Sequence, residues 1–155
     1  MMIKRSVLKL AAAAACAMIL AGCATGVKYQ DMAATIPAVK ADAARVYFFR
    51  SASMVGAAIQ PEIRLDGKPV GESKPGGFFF VDTAPGTHLA ASSTETEKSL
   101  SFSLAAGETK YVRSSIGLGL LVGRVVLDLE PADKAKAELP SLAFTGTNPA
   151  PATAK

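Results

Sequence analysis

The chain has 155 residues with 17 basic and 13 acidic side chains, and its formal net charge is +4. Three of the basic residues and none of the acidic ones lie within residues 1–22, so the rest of the chain is nearly neutral, with 14 basic against 13 acidic residues. This balance removes the support for a nucleic-acid-binding surface, and a single histidine excludes a two-histidine metal site.

The first 22 residues have the pattern of an export signal. Three basic residues within the first nine positions precede an uncharged apolar stretch at residues 10–21. This stretch is well short of the roughly 20 residues that a membrane-spanning helix requires. It leads into Leu-Ala-Gly-Cys at residues 20–23, which resembles the cleavage motif of bacterial lipoproteins. The resemblance implies cleavage between Gly22 and Cys23 and attachment of lipid to Cys23.

Lipidation at Cys23 determines the expected location. The resemblance implies a diacylglycerol and an amide-linked acyl chain on this residue, and two or more chains give stable membrane anchoring. Ala24 follows, where an aspartate would resemble an inner-membrane retention signal, so we predict the periplasmic face of the outer membrane. Cys16 would leave with the signal, so no disulfide can form in the mature chain. Apart from the lipid, no cofactor is expected.

The mature chain is predicted to have three parts. Residues 23–42 contain alanine-rich runs, scattered polar residues and one proline, which predicts a flexible tether spanning roughly 25 Å. Residues 43–139 form the folded domain. Residues 140–155 are rich in proline, alanine and threonine, which predicts a disordered tail.

Within residues 43–139, short apolar segments alternate with turn signals, as is typical of a small all-β domain. Asp66-Gly67 predicts a type I′ hairpin turn, because both residues tolerate positive φ. Leucine and phenylalanine alternate with serine along residues 98–104, which predicts one buried and one solvent-facing side. Strands are predicted at 45–50, 63–65, 78–81, 87–93, 98–104, 109–113 and 124–129, and a short helix at 132–139.

The order of these strands and turns resembles a bacterial lipoprotein family, the domain of unknown function 2846. The resemblance is carried by the first strand at residues 44–50 and by three turn segments at residues 65–71, 85–88 and 106–112. There is a looser similarity to PEGA-type β domains. The resemblance implies a small antiparallel β-sandwich on a lipid anchor, with no catalytic residues.

Few residues suggest chemistry. His88 follows a Pro-Gly turn and is predicted to be structural, since no second histidine or free thiol accompanies it. Asp66 belongs to its turn. Asp128 and Glu130 share one face of a strand and are predicted to be solvated rather than an acid/base pair. The glycine-spaced run at 116–123 lacks the Lys-Ser/Thr pair of a phosphate loop. We therefore predict no catalytic residue and no metal ligand.

The run at residues 116–123 contains no polar side chain. Its leucines either pack into the sandwich, as most apolar loop residues do, or form an exposed loop that contacts lipid or a protein partner. The residues concerned are Leu118, Leu120 and Leu121.

A second candidate contact is Phe79. It points to the opposite side of its strand from Phe78 and Phe80, so at least one ring faces away from the main core. We expect the helix at 132–139 to cover that ring, and a recognition patch containing Phe79 is the alternative.

Together these observations predict a non-enzymatic, lipid-anchored periplasmic protein that binds another envelope component. One alternative is a small-ligand or glycan-binding sandwich that uses exposed aromatic rings at Tyr47, Phe79 or Tyr111. Another is an accessory subunit of an envelope enzyme.

Overall fold

A computed structural model describes residues 23–117, 119 and 123–147. The predicted export signal therefore lies outside the described residues. The strands are β1 (Ala44–Phe49), β2 (Glu62–Leu65), β3 (Lys68–Glu72), β4 (Gly77–Thr83), β5 (Gly86–Ser93), β6 (Glu97–Leu104), β7 (Thr109–Gly117), β8 (Arg124–Glu130) and β9 (Ala143–Phe144). The helices are α1 (Tyr29–Met32) and α2 (Ala132–Glu138), each followed by a short 3-10 turn, at Ala33–Thr35 and Leu139–Ser141.

Local sequence signals account for most of these elements. All seven predicted strands and the predicted helix are present, and Asp66 and Gly67 adopt φ angles of 52° and 78°, as a type I′ turn requires. In β6 the serines are exposed, whereas Phe102 and Leu104 are buried. The all-β prediction is therefore confirmed.

The strands form two sheets, which we call sheet A and sheet B. Sheet A has the order β8-β7-β1-β4-β9, and sheet B has the order β3-β2-β5-β6. The β1–β7 and β4–β9 pairings are parallel, so the sandwich is mixed rather than purely antiparallel. Turn residues predict only hairpin neighbours, and these two pairings join strands that are distant in the chain.

The main core lies between the two sheets. Val46 and Phe48 of β1 face it, and its other large buried side chains are Ile63, Leu65, Phe79, Phe102, Leu104, Val112, Val125 and Leu127. Phe79 is only 2 % exposed and its ring stacks on Phe48 at 5.1 Å between centroids. The prediction of Phe79 as a contact residue is therefore wrong, because its strand register turns it inward opposite Phe48.

A second core covers the outer face of sheet A. Tyr47, Phe49, Phe78 and Tyr111 project from the sheet and pack against Met32, Ala135, Leu139 and Leu142. The helix at 132–139 thus helps to cover the outward-facing ring of Phe78, together with α1 and the segment after α2. Phe79, for which this cover was expected, is instead covered by sheet B. Every residue of β1 is consequently buried.

The described segments on either side of the predicted domain, residues 23–42 and 140–147, are more ordered than their composition predicts. The backbone N–H of Tyr29 donates to the carbonyl of Leu142 at 2.9 Å, and that of Phe144 donates to Val27 at 2.7 Å. Arg45, which forms a two-pronged ion pair with Asp82, also donates to the carbonyl of Pro37 at 2.8 Å. The expected tether at 23–42 and the start of the expected tail at 140–155 therefore pack on each other and on sheet A. Among the described residues, no helix is long and apolar enough to cross a bilayer.

Candidate functional site

One end of the sandwich holds Cys23, the residue predicted to carry lipid. At this end β1 and β7 finish while β4 and β8 begin, as the pairs Phe49–Phe78 and Gly117–Arg124 show. We call it the anchor end because Cys23 lies there. The cysteine is exposed and forms no disulfide.

The chain is attached to the domain directly after Cys23. The N–H of Ala24 donates to the carbonyl of Pro75 at 3.0 Å, just before β4 begins. Gly26 lies against the backbone of Phe144 so closely that an added Cβ would overlap the Phe144 carbonyl oxygen. Lys28 forms an isolated antiparallel bridge with Ala143. Cys23 is therefore held close to the domain. The flexible tether predicted from the sequence would have allowed it a reach of roughly 25 Å.

The β1–β2 loop, residues 50–61, shapes the anchor end through a buried cation. Arg50 is 3 % exposed, and its guanidinium donates to the carbonyls of Gly56 at 2.8 Å, Ile59 at 2.7 Å, Ser73 at 3.1 Å and Val55 at 3.3 Å. Burial lowers the pKa of Arg50 from its usual value, although the group stays charged at any physiological pH. Four carbonyl dipoles therefore replace the water that this charge has lost.

Two buried hydroxyls lie beside this cation. The Ser73 and Ser114 oxygens are 2.8 Å apart, and Ser114 also donates to the carbonyl of Phe49. No motif in the sequence predicted this polar cluster. The alternation of strand residues could have indicated it, because Val46, Phe48 and Arg50 fall on the same face of one strand, and that face is buried in the core.

The tip of the β1–β2 loop exposes two large apolar side chains. Met54 is 72 % exposed and Val55 is 70 % exposed. Gly56 follows with a φ of +66°, and a Cβ at this position would strike Ile116 at the end of β7. The loop is therefore seated against the end of β7. Leu118, Leu120 and Leu121 of the β7–β8 connection lie outside the described residues, so their role as a contact loop stays a prediction.

An open groove runs along the edge where β3 of sheet B faces β4 of sheet A. It has a volume of about 570 Å³. Apolar side chains of Val70, Phe80 and Val81 line it, and the ion pair between Glu72 and Lys74, with 3.1 Å between charged atoms, lies at its side. A second depression of about 430 Å³, lined in part by Cys23 and Gln60, shares Lys74, Thr145 and Gly146 with the groove. The groove therefore adjoins the position of Cys23.

His88 lies at the opposite end of the sandwich. Its Nδ1 is 2.6 Å from the Asp66 carboxylate and its Nε2 is 2.8 Å from the carbonyl of Ala84. Asp66 also accepts from the N–H of Leu89 at 2.9 Å. Both imidazole nitrogens thus face acceptors within turns, which agrees with the structural role expected for His88.

The His88 contacts predict a pH dependence of stability. Burial lowers the pKa of His88, but hydrogen bonds with Asp66 and Ala84 raise it by more, so it lies above the usual value of 6.5. The charged ring donates from both nitrogens, so its stabilisation is complete below about pH 6.5 and is lost as pH rises through the folded-state pKa. The free energy of unfolding is expected to fall as pH rises above about 6.5 and through the folded-state pKa of His88, measured by urea denaturation.

His88→Gln is the matched control, because no other histidine is present. It should flatten this slope while the fold is kept. The Asp66 carboxyl does not interfere, because the Leu89 N–H and then His88 lower its pKa, and its contribution is lost only in acid. An unchanged slope in His88→Gln would contradict the assignment.

The carboxylates expected to be solvated have different surroundings. Asp128 is exposed, whereas Glu130 accepts from Arg113 at 2.7 Å. Arg113 also donates to Glu138 of α2 at 2.7 Å and lies 4.7 Å over the Phe49 ring. Glu130 is therefore part of a clamp that holds α2 on sheet A. Within residues 23–117, 119 and 123–147, no cluster of three or more His, Cys, Asp or Glu residues is arranged to hold a metal ion.

The aromatic residues considered for ligand binding are not on the surface. Tyr47 and Tyr111 are each 6 % exposed, and their rings stack 5.4 Å apart in the second core. Together with the burial of Phe79, this finding corrects the expectation of an exposed aromatic platform. The physical reason is that the docked N-terminal segment and α2 cover that face.

Comparison with known proteins places the chain in a family. Residues 40–125, from before β1 to the start of β8, match the family described as protein of unknown function (DUF2846). The chain belongs to the DUF2846 family. The chain is also similar to an uncharacterized protein of Haemophilus influenzae, with 25 % identity over 131 residues that cover 81 % of this chain and 77 % of the relative. The family match spans the β1–β2 loop, the groove strands β3 and β4, and the His88 turn.

Proposed function

We propose that this DUF2846 protein is a lipid-anchored envelope protein that binds a segment of another envelope protein in the groove between β3 and β4. The observation that carries the proposal is the position of Cys23. The cysteine of a lipoprotein-like motif lies exposed at one end of the domain, in a depression that adjoins the groove.

Lipidation fits this position. An exposed residue at the edge of a depression can carry acyl chains without disturbing either core. Each buried methylene adds about 0.8 kcal/mol, so several chains hold a protein on a bilayer almost permanently. The predicted sorting to the periplasmic face of the outer membrane is part of the proposal.

Binding without catalysis fits the groove. It combines an apolar floor with a few polar groups, and its volume of about 570 Å³ is within the usual range for binding sites. The groove is open along one side, which suits an extended protein segment better than a small ligand that must be enclosed. His88, the residue with the most suitable pKa for acid/base chemistry, is at the far end of the domain and is engaged by Asp66 and Ala84.

Photo-crosslinking in intact cells tests this proposal. A photoreactive amino acid at Val70, inside the groove, is expected to give a discrete adduct with one envelope protein, identified by mass spectrometry. The matched control is Ser103, which is exposed on β6 outside the groove. The same adduct should weaken strongly in Cys23→Ser, because the anchor concentrates both proteins on one membrane. Equal adducts from both positions, or none from Val70, would refute groove binding.

A further inference from the structure

The exposed side chains of Met54 and Val55 cannot be explained by a poorly packed loop. Beneath them, Arg50 donates to the carbonyls of Val55 and Gly56, and a Cβ at Gly56 would strike Ile116. The backbone of the tip is thus held in place from below. A buried cation therefore stabilises a loop conformation that leaves the side chains of Met54 and Val55 in contact with solvent.

The same end of the sandwich holds Cys23. Gln60, near the end of the β1–β2 loop, lines the same depression as Cys23. Ala24 is already hydrogen-bonded to Pro75, and Gly26 is packed on Phe144. The rigid attachment of this segment prevents the domain from swinging away from its lipid. Acyl chains that enter a bilayer at Cys23 therefore bring the anchor end to the membrane surface.

We propose that the anchor end rests on the bilayer that holds Cys23, with Met54 and Val55 inserted in the interfacial layer as a second contact. This inference depends on the lipidation of Cys23 proposed above. The occupant is lipid rather than another protein, because the β1–β2 loop that carries Met54 and Val55 also contributes Gln60 to the depression lined by Cys23.

The charges at this end also favour an apolar contact. Lys74 lies 3.1 Å from Glu72, and Arg124 lies 3.8 Å from Glu95. These two cations already face carboxylates, which weakens their attraction to acidic lipid headgroups. The insertion is expected to be similar on zwitterionic and anionic membranes.

Such a contact fixes the orientation of the domain. The turns at Asp66-Gly67 and around His88, which lie at the opposite end, point away from the membrane. The groove begins beside the lipid and runs away from it, so a bound partner segment starts near the membrane surface and extends away from it.

Depth measurement by electron paramagnetic resonance tests this orientation. A spin label is placed on the acylated full chain through Met54→Cys, or through Lys68→Cys as a control at the far end, in phosphatidylethanolamine and phosphatidylglycerol vesicles. Mass spectrometry of the same sample verifies the lipid on Cys23. We expect a several-fold lower collision rate with a water-soluble nickel chelate at position 54 than at position 68, together with a higher collision rate with oxygen.

A second variant separates insertion from the apolar nature of the label. In a Val55→Asp background, the label at position 54 should become accessible to the chelate. The circular dichroism spectrum of the protein should stay unchanged, which shows that the fold is kept. Equal chelate access at positions 54 and 68 with Cys23 acylated would overturn this inference and leave the proposed anchoring intact. A sample whose Cys23 carries no lipid overturns the proposed anchoring and, with it, the inference.

Discussion

Arg50→Met is expected to destabilise the domain by about 3 kcal/mol, because it leaves several buried carbonyl groups without a donor. Methionine has a similar length and keeps most of the packing, so the lost hydrogen bonds dominate the effect. The loss is a large fraction of the roughly 5–15 kcal/mol that stabilises a typical domain. Urea denaturation measures it, and limited proteolysis should show new cleavage within residues 51–60.

Arg64→Met is the matched control. The Arg64 side chain is 47 % exposed and pairs with Glu62 on the surface of β2. Exposed ion pairs contribute about 0–1 kcal/mol, so this variant should unfold close to the wild-type midpoint. If the two variants were equally stable, Arg50 would not be the group that holds the β1–β2 loop.

Cys23→Ser is expected to abolish membrane retention. Wild-type protein should incorporate labelled palmitate and remain with the membrane pellet after a high-salt wash, whereas the serine variant should incorporate none and leave the pellet. The physical reason is that several acyl chains bind a bilayer almost irreversibly, while the exposed apolar side chains of Met54 and Val55 alone bind it weakly.

Cys16→Ser provides the control for this experiment. Cys16 lies within the predicted export signal, so its replacement should leave palmitate incorporation unchanged. Label that persists in Cys23→Ser, or its absence from the wild type, would contradict lipidation at this residue.

The parts of the fold that could be predicted from the sequence depend on local chemistry. Asp66-Gly67 specifies its turn through backbone conformation alone, and the alternation in β6 reports which face is buried. These signals operate between neighbours in the chain. They place strands and hairpins correctly, and a motif of four consecutive residues likewise carries the prediction of lipidation at Cys23, which the structure does not test.

The remaining features arise from tertiary contacts. Residues 29–32 form a helix of only four residues, far too short to be stable alone, so packing on Phe78 and the hydrogen bond to Leu142 hold it there. Leu142 and Phe144 lie at the start of a segment whose composition resembles a disordered tail. Each segment packs on the other, and these contacts cannot be inferred from the composition of either segment alone. For this reason the sequence did not predict the full second core.

The candidate site was predictable to a similar extent. The sequence connects Cys23 and the apolar run at 116–123 with membranes, yet it gives no distance between them. Their shared end follows from the parallel pairing of β1 with β7, which no turn residue encodes. Met54 and Val55 belong to no sequence motif. They stand out only in the structure, where the buried Arg50 holds the loop tip that exposes them.

The interlocking of residues 24–29 with residues 142–144 has a consequence for biogenesis. If the chain is exported from its N-terminus, as the proposed lipidation requires, residues 142–144 cross after residues 24–29, and the outer layer cannot close before then. Throughout that interval Cys23 would be undocked and accessible to the enzymes that process it under this proposal. Folding would then follow maturation, and completion of the outer layer would seal the processed terminus against the domain.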